Sequence, residues 1–320
     1  MNKQDPNTQL QKLFRQKGIK ALEAAKQTIL KEKIEANEVK EALHYFMTEC
    51  WHDVARPGVL ALVSESLGGR PEDTTNIAIP LILIGGATDI HDDIIDESKT
   101  KYNKPTVYGK FGKNIAILAG DALFFKGLTM LNRTCADHPE INNIVKNTFF
   151  ELGDAEALEL QLRKKSSTTP ERYLSIIRKK AADVEAHTKT AAIIGGASKK
   201  EIKVLGNYGR ILGMLIILKD DYIDSLEHEE LKHRIQNEHF SMPMLYALTE
   251  PKTNTAITKI LRKRNITKKD TQTLKTLIRK SKGYQKTAQL MDTLIRTAEK
   301  QITAIANKTY LQLMLEATRV

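Results

Sequence analysis

Two copies of an Asp-Asp-x-x-Asp pattern are the residues of this chain best suited to metal chemistry. They occupy residues 92–96 and 220–224. Each residue of a helix advances by about 100°, so the first and last aspartates of each copy share one face, a single turn apart. Apolar stretches lead into both copies, at residues 80–87 and 211–218. We therefore expect two helices whose acidic faces look across an oily cavity.

Such a ring of carboxylates would be very costly to bury without cations. Mg²⁺ binds through one or two protein carboxylates and fills its octahedral shell with waters and substrate phosphates. The pattern therefore predicts magnesium sites that hold a diphosphate. Either copy alone would be equally compatible with a solvated acidic helix face and with a metal site, but two copies that both follow apolar helical stretches favour the metal site.

The elements that must position these aspartates are helices. Helical spacing of apolar residues recurs along the chain, as in Leu290, Leu294 and Ala298, whereas alternating strand patterns are scarce. No Gly/Ser/Pro-rich linker divides the 320 residues. We expect an all-α protein with one domain over residues 1–320, which includes an N-terminal helical region at 1–40 and basic C-terminal helices at 250–320.

Positive charge is concentrated near the C-terminal end of the chain. The net charge is +11, and residues 252–286 contain twelve Lys or Arg side chains against one acid, Asp270. A solvated outer helix face is the simplest explanation. The alternative is peripheral contact with an anionic membrane, at about 1 kcal/mol per basic residue. Nucleic acid is not expected as a partner, because no aromatic interleaving or recognition helix accompanies the charge.

The cysteines and the apolar runs indicate the compartment. Cys50 and Cys135 are too few for a disulfide framework and lack metal-ligand spacing. No uninterrupted apolar run approaches 18 residues, and residues 1–6 do not form a secretion signal. These features predict a cytoplasmic protein.

The two aspartate motifs and several neighbouring segments resemble the trans-isoprenyl diphosphate synthase, or polyprenyl synthetase, family. The other matching segments are Arg56-Pro57, Ser66 to Gly69, Lys104 to Tyr108, Ala119 to Leu123 and Tyr173 to Lys180. The resemblance covers roughly residues 40–245. It implies an isoprenoid-synthase-type helical bundle around a central apolar cavity, a homodimer, an allylic isoprenyl diphosphate substrate, and three Mg²⁺ ions with bound diphosphate.

The resemblance also implies roles for individual residues. Three carboxylates match the family's metal ligands: Asp92, Asp96 and Asp220. Three more match water-mediated partners around the substrate: Asp93, Asp221 and Asp224. Lys180 occupies the position of a family lysine that binds the leaving diphosphate. These residues would together ionise an allylic diphosphate and leave a carbocation in the cavity.

The family's second site, which holds isopentenyl diphosphate, is poorly matched. The family lysine is Asp53 here, its histidine is Gly85, and its Arg-Arg-Gly is Lys101-Tyr102-Asn103. Arg56 and Lys101 remain as cations. A charge-assisted hydrogen bond contributes about 1.5–3 kcal/mol, so the loss of two or three predicts weak binding of isopentenyl diphosphate.

Two further departures flank the second motif. The family's Phe-Gln pair is Ile216-Ile217, and its lysine before Ser241 is His239. We still expect Ile217 and His239 to contact the substrate.

Three functions are compatible with these residues. The first is a prenyltransferase that uses isopentenyl diphosphate, through Arg56 and Lys101, or another acceptor. The second is a terpene synthase derived from the family, in which Asp89 would steer a cation or a proton. The alternative for Asp89 is a carboxylate neutralised by a neighbouring base or by protonation. The third is a regulatory subunit of a heteromeric synthase, which predicts erosion of the metal motifs, yet both motifs are complete.

Small residues before the first motif predict a long substrate. In this family the residues four and five places before that motif form the pocket floor, and here they are Thr88 and Ala87. Gly86 and Gly85 lie below them. We expect an allylic diphosphate of farnesyl length or longer.

Overall fold

Helices form nearly all of the regular structure in the part of the chain that the computed structural model describes, residues 5–101 and 103–320. Two short strands, Thr100–Lys101 and Lys104–Pro105, pair antiparallel shortly after the first aspartate motif. The prediction of an all-α protein is confirmed. Tyr102, in the loop after the first motif, and residues 1–4 lie outside the described part.

The chain forms two compact units. One comprises Met1–Val145 and Thr190–Lys199, and the other comprises Lys146–Lys189 and Lys200–Val320. The single domain expected from the sequence stays a prediction.

The first unit carries the first aspartate motif. Its helices are α1 (Pro6–Leu30), α2 (Asn37–Tyr45), α3 (Ala55–Ser66), α4 (Thr75–Ile95) and α5 (Val107–Thr134), with a π-helical turn at Phe46–Cys50 and a 3₁₀ turn at Pro71–Thr74. Helix α4 is buried along most of its length and packs against α1, α3 and α5.

The remaining helices follow in chain order. They are α6 (Pro139–Leu160), α7 (Pro170–Lys180), α8 (Ala182–Ile194), α9 (Lys199–Asp224), α10 (His228–Asn237), α11 (Met242–Leu248), α12 (Pro251–Leu261), α13 (Lys268–Lys280), α14 (Gly283–Gln301) and α15 (Thr309–Glu316). Prolines stand at the first or second position of several of these helices, where a missing N–H costs nothing.

Two glycines let α5 approach α4 closely. A Cβ at Gly127 would lie 2.6 Å from Cγ1 of Ile84 and 3.0 Å from the carbonyl oxygen of Pro80, and a Cβ at Gly120 would collide with the ring of His91. The close contact fixes the second half of α4, which carries the first motif.

Helix α4 ends where the chain reverses. Glu97 adopts a left-handed conformation with φ 55°, and Asn103 does the same with φ 60° at the turn of the two-stranded hairpin. The hydroxyl of Thr106 donates to the carbonyl of Ser98 at 2.7 Å and accepts from the N–H of Gly109 at 2.9 Å. This cap starts α5 and holds the loop that carries Lys101 against the end of α4.

Helix α9 packs closely against other helices of the second unit. A Cβ at Gly213 would lie 2.9 Å from the Cβ of Ala181, so α9 passes close to the junction of α7 and α8. The phenol of Tyr208, which is fully buried, donates to the carbonyl of Leu311 at 2.8 Å and ties α9 to α15. Close packing on two sides positions the second motif at the C-terminal end of α9.

Among the described residues, one helix is long and apolar enough by length and composition to cross a membrane. This is α5, and one third of its most apolar window is buried. It is kinked at Gly112, which has φ 80°. A helix with an exposed apolar docking face would meet the same criterion of length and composition. Helix α5 has such a face, because Leu118 is 52% exposed and Phe125 is 70% exposed.

Candidate active site

The first motif closes helix α4. Asp92 and Asp93 lie in its last turn, and Asp96 follows its final residue, with the Asp96 N–H donating to the carbonyl of Asp92 at 2.8 Å. Asp92 and Asp96 therefore share one side of the helix end. The partial negative charge of a helix C-terminus disfavours carboxylates at this place. A cation bound between them would offset that penalty.

Asp93 points to the hairpin. The residue is 7% exposed, and its carboxylate lies 2.6 Å from the ammonium of Lys101. Burial raises the pKa of the Asp93 carboxyl, and the nearby Lys101 opposes that shift. Burial would lower the pKa of Lys101, but three aspartates, of which Asp93 has the largest effect, keep it above its ordinary value. Lys101 is thus committed to the aspartates of α4.

The side chain of Arg56 is fixed by Asp53, an aspartate just before the start of α3. Asp53 accepts the N–H groups of Ala55 and Arg56 at 2.8 and 3.2 Å through one oxygen, and the guanidinium of Arg56 at 2.6 Å through the other. The carboxylate therefore caps α3 and fixes the Arg56 side chain at once.

Arg56 also crosses the surface of α4. A Cβ at Gly85 would lie 3.3 Å from both Cδ and Nε of Arg56, so the missing side chain is what makes room for the guanidinium. One turn further along α4, Asp89 lies 3.5 Å from the same guanidinium. Trp51 stacks beneath it, with 5.8 Å between Cζ of Arg56 and the centre of the ring.

The expected pocket floor lies on the same helix. Ala87 is fully buried, and the hydroxyl of Thr88 donates to the carbonyl of Gly85 at 2.7 Å. The space beside Gly86 is filled, because a Cβ there would lie 2.9 Å from Phe46 and 3.6 Å from Trp51. Any open space below the first motif therefore depends on Ala87 and Thr88.

The second motif closes helix α9 as the first closes α4. Asp220 is exposed, yet the protein around it and the neighbouring Asp224 raise the pKa of its carboxyl to about 6, against the opposing effect of Arg234. A carboxylate in such a place favours a cation. Ile217, one turn earlier, is half-buried.

Asp221 and Asp224 are fixed by one arginine. Asp221 is fully buried and accepts from Arg234 at 2.7 Å, from the phenol of Tyr173 at 3.2 Å and from the N–H of Met242 at 2.8 Å. The same Arg234 donates to Asp224 at 3.0 and 2.8 Å. These hydrogen bonds fix the C-terminal end of α9. Asp220 is therefore the carboxylate of the second motif best placed to bind a metal ion.

Lys180 and His239 belong to a buried polar chain in this unit. The ammonium of Lys180 lies 2.9 Å from Glu156 and 3.0 Å from Glu159. His239 lies with one ring nitrogen 3.2 Å from Glu159 and the other 2.6 Å from the phenol of Tyr173. The chain of contacts therefore runs from Lys180 through His239 to the aspartates of the second motif.

The buried acids and bases of this hydrogen-bonded group keep one another ionised. Burial opposes ionisation of Glu159, but His239 and Lys180 prevail and hold the pKa of its carboxyl well below the ordinary value. Burial likewise opposes the charge of Lys180, but Glu159 and Glu156 keep the pKa of its ammonium well above the ordinary value. Lys180 therefore remains a cation throughout the neutral range.

The donor set of both motifs suits magnesium. Among the described residues, no group of three or more His, Cys, Asp or Glu side chains encloses a metal ion by itself. Mg²⁺ does not require such a cage, because one or two carboxylates suffice when waters and phosphates complete the shell. Asp92, Asp96 and Asp220 offer hard oxygen ligands of this kind at helix ends.

The sequence profile of the polyprenyl synthetase family matches residues 20–280. The chain belongs to the polyprenyl synthetase family. This membership confirms the resemblance carried by the two aspartate motifs. Relatives within the family include the short chain isoprenyl diphosphate synthase of Methanothermobacter thermautotrophicus, which is 36% identical over 178 residues. A geranylgeranyl diphosphate synthase of Methanosarcina mazei is 29% identical over 185 residues.

These two sequence matches cover 55% and 57% of the chain and 55% and 57% of the relatives, so the chain matches little more than half of each relative's length. Solved structures of polyprenyl synthetases match more broadly. Geranylgeranyl pyrophosphate synthetase from Pyrococcus horikoshii has a TM-score of 0.82 at 27% identity, with 96% of both chains covered. A decaprenyl diphosphate synthase from Rhodobacter capsulatus has a TM-score of 0.83 at 23% identity, with 97% of this chain and 96% of that chain covered, and shows the fold alone. The isoprenoid-synthase-type helical fold is thereby confirmed.

Several residues that organise this polyprenyl synthetase site were missed from the sequence. Arg234, Glu156 and Glu159 carried no motif. Arg234 lies 10 residues from Asp224, and Glu156 and Glu159 lie 24 and 21 residues from Lys180. Tyr173 lay within a matching segment but had no role. A buried acceptor such as Asp221 requires hydrogen-bond donors. That requirement was the one signal in the sequence that could have indicated an arginine on a neighbouring helix.

Proposed function

We propose that this protein is a magnesium-dependent prenyltransferase that ionises an allylic diphosphate of farnesyl length or longer and transfers the prenyl group to an acceptor. One observation carries the proposal. Both aspartate motifs end long buried helices, where the helix dipole and neighbouring carboxylates disfavour negative charge unless a cation binds. Membership of the polyprenyl synthetase family supports the same chemistry.

Asp92, Asp96 and Asp220 are the residues that would hold the ions. Magnesium bound there neutralises the diphosphate and so stabilises its departure. Arg234 has a positioning role, because it fixes Asp221 and Asp224 and with them the end of α9. Asp93 and Lys101 fix the end of α4 in the same way.

Lys180 adds a permanent cation for the leaving group. Its two glutamate partners keep it protonated, and their hydrogen bonds fix the direction of its side chain. His239 is buried and bonded to Glu159 and Tyr173, so it acts on the substrate through Lys180 and the second motif.

Terpene cyclisation is the second candidate function. The ion pairs of Arg56 and Lys101 favour it, because both cations that remain from the isopentenyl diphosphate site are held by aspartates of this chain. A cyclase needs no second diphosphate, so such pairing would not impair it.

We further propose a homodimer formed through α5. Leu118 and Phe125 are seven residues apart on that helix, share one face, and are 52% and 70% exposed. Exposed aromatic and aliphatic side chains on one helix face are typical of a protein interface.

Peripheral membrane contact is proposed for the basic face, the exposed Lys and Arg side chains of residues 252–286. Its members are Lys252, Lys259, Arg262, Lys263, Arg264, Lys268, Lys269, Arg279, Lys280 and Lys282. The one acid of the segment, Asp270, is buried and lies 2.5 Å from Lys263. A depression lined by Lys268, Lys269 and Gln272 at the start of α13 would accept a lipid phosphate.

The test is product analysis with purified protein and Mg²⁺. Geranyl, farnesyl and geranylgeranyl diphosphate are each supplied with and without isopentenyl diphosphate. Transfer predicts release of diphosphate and a linear product that contains the acceptor. A cyclic hydrocarbon or alcohol formed without any acceptor would select the cyclase, and turnover that requires a second protein would select the regulatory subunit.

A further inference from the structure

The second aspartate motif is paired with a cation of its own unit. The guanidinium of Arg234, on α10, donates to Asp221 at 2.7 Å and to Asp224 at 2.8 and 3.0 Å. We call Asp221, Asp224 and Arg234 the Arg234 clamp, and all three residues belong to the second unit. Two of the three carboxylates of the motif therefore share one cation that the protein itself supplies.

The clamp uses both oxygens of Asp221. One oxygen accepts from Arg234 and from the phenol of Tyr173, and the other accepts from the N–H of Met242. Asp221 is fully buried, and the side chain of Arg234 is 14% exposed. A magnesium ion could bind Asp221 only by displacing these donors, one of which is a strong charge-assisted one.

The charge of Arg234 also opposes the approach of a free metal ion to Asp224. An arginine side chain stays protonated in proteins, and water screens a buried charge less than an exposed one. Two nitrogens of the guanidinium, Nε and Nη2, donate to the same oxygen of Asp224. An ion at that carboxylate would be repelled by a cation about 3 Å from the shared oxygen. Asp220, which is exposed, is the carboxylate of the motif that is left for an ion.

The first motif has a different kind of cation. Lys101 lies 2.6 Å from Asp93, but its side chain is 51% exposed, so water screens its charge. Lysine also bonds as a point charge, whereas the planar guanidinium of Arg234 is fixed by two carboxylates at once. Asp92 and Asp96 share one side of the end of α4, so a free ion meets two carboxylates there. We therefore expect the two motifs to differ in affinity for free metal ions.

We propose that Arg234 is a positioning residue that reserves the second motif for a magnesium ion bound to diphosphate. Arg234 keeps Asp221 and Asp224 from binding a free ion, and Asp220 alone holds an ion only when phosphate oxygens complete its shell. This inference rests on the proposed function, in which both motifs bind magnesium. The second motif then stays folded without metal, and its ion arrives with the substrate.

The first test measures Mn²⁺ binding by electron paramagnetic resonance, without diphosphate, in the wild type, R234Q and the control R210Q. Mn²⁺ prefers the same oxygen ligands as Mg²⁺. Arg210 is a matched control, because its side chain is also 14% exposed and also joins two acids, Glu151 and Glu185. We expect R234Q to bind an additional Mn²⁺ ion about tenfold tighter or more than the wild type does, and R210Q to match the wild type. D220N in the R234Q background should abolish the added site, which assigns that site to the second motif.

Thermal melts in EDTA and in Mg²⁺ show whether each variant folds. Mg²⁺ should raise the melting temperature of R234Q by several degrees more than that of the wild type or R210Q, because the ion replaces the lost counter-charge. R234K serves if R234Q does not fold, since lysine keeps a charge beside the buried aspartate but lacks the planar fork that holds both carboxylates. We expect R234K to bind Mn²⁺ about threefold tighter than the wild type.

The second test adds inorganic diphosphate to the same Mn²⁺ titrations. The wild type should gain a bound Mn²⁺ ion that D220N lacks, and absence of that ion overturns the inference. So does a wild type that already binds Mn²⁺ through Asp220 without diphosphate, or Mn²⁺ binding that R234Q and R234K leave unchanged. Failure of the wild type to release diphosphate from farnesyl diphosphate in Mg²⁺ would instead contradict the proposed function, and the Mn²⁺ comparison would still decide the role of Arg234.

Discussion

At the scale of single residues, the structure separates carboxylates that stabilise the protein from carboxylates that are kept for a ligand. Asp221 is buried and bonded to Arg234, Tyr173 and a backbone N–H, so it is a structural acceptor. Asp220, its neighbour, is exposed and has a pKa raised to about 6. Two adjacent residues therefore differ in role: Asp221 fixes the end of the helix, and Asp220 is a candidate metal ligand.

Glu159 provides a residue-scale test of the buried polar chain. E159Q should lower the free energy of unfolding at pH 7 by about 3 kcal/mol, because Lys180 loses a buried counter-charge and His239 loses its contact with a carboxylate oxygen. The folded-state pKa of Glu159 is depressed, so its stabilisation is present above the unfolded pKa of 4.5 and is lost as the pH falls.

Urea titrations at pH 7 and at pH 4 measure the difference. The gap between wild type and E159Q should narrow at the lower pH. The control is E140Q, which removes an exposed glutamate 3.6 Å from His138 and should change the stability by less than about 0.5 kcal/mol. An E159Q effect no larger than that of E140Q would show that the buried chain does not stabilise the fold.

At the scale of elements, the site depends on how closely α5 packs on α4. G127A should destabilise the protein by about 1–3 kcal/mol, because its Cβ would lie 2.6 Å from Ile84 and 3.0 Å from a backbone oxygen of Pro80. G153A is the matched control. Gly153 is also helical, in α6, but no described atom lies within 4 Å of its Cβ position.

Chemical denaturation of both alanine variants decides the matter. G153A should be neutral or stabilising by up to about 1 kcal/mol, through helix propensity alone. Equal effects of the two substitutions would mean that the spacing of α4 and α5 does not limit stability.

The elements were largely predictable from the sequence, and their contacts were not. Apolar spacing of period 3.6 indicated an all-α fold, and the Asp-x-x-x-Asp spacing put Asp92 near Asp96 because both lie on one helix. The partners of Lys180 were not predictable, since Glu156 and Glu159 lie more than twenty residues away on α6 and meet it only after packing. The exposure of Leu118 and Phe125 on α5 was likewise not predictable from the sequence, because an apolar helix is ordinarily buried.

At the scale of the whole molecule, two exposed surfaces require partners. The first is the apolar face of α5. L118E together with F125E should convert a dimer into a monomer in size-exclusion chromatography with light scattering, because each protomer would bury two charges in the interface. L30E, at an exposed leucine near the end of α1, is the control and should leave the dimer intact. A dimer that survives the double substitution would place the interface elsewhere.

The second surface is the basic face. K268Q together with K269Q should weaken binding to vesicles containing anionic lipid about 30-fold, at about 1 kcal/mol per charge removed. K199Q together with K200Q removes the same charge from another exposed Lys-Lys pair at a helix start and should have no effect. Equal binding to neutral and anionic vesicles would refute the electrostatic contact, and tighter binding to RNA than to vesicles would assign the face to nucleic acid.

We propose that carboxylates of both aspartate motifs bind the magnesium that removes diphosphate from an allylic chain. The most direct measurement is the magnesium-dependent rate of diphosphate release from farnesyl diphosphate by the wild type, D92N, D220N and D154N. Asp154 pairs with Lys179 at 2.7 Å on the surface and serves as the control. We expect D92N and D220N each to lose about 100-fold or more of the rate while folding normally, and D154N to keep the wild-type rate. Release at the wild-type rate by either D92N or D220N would show that its carboxylate does not bind the magnesium needed for diphosphate release.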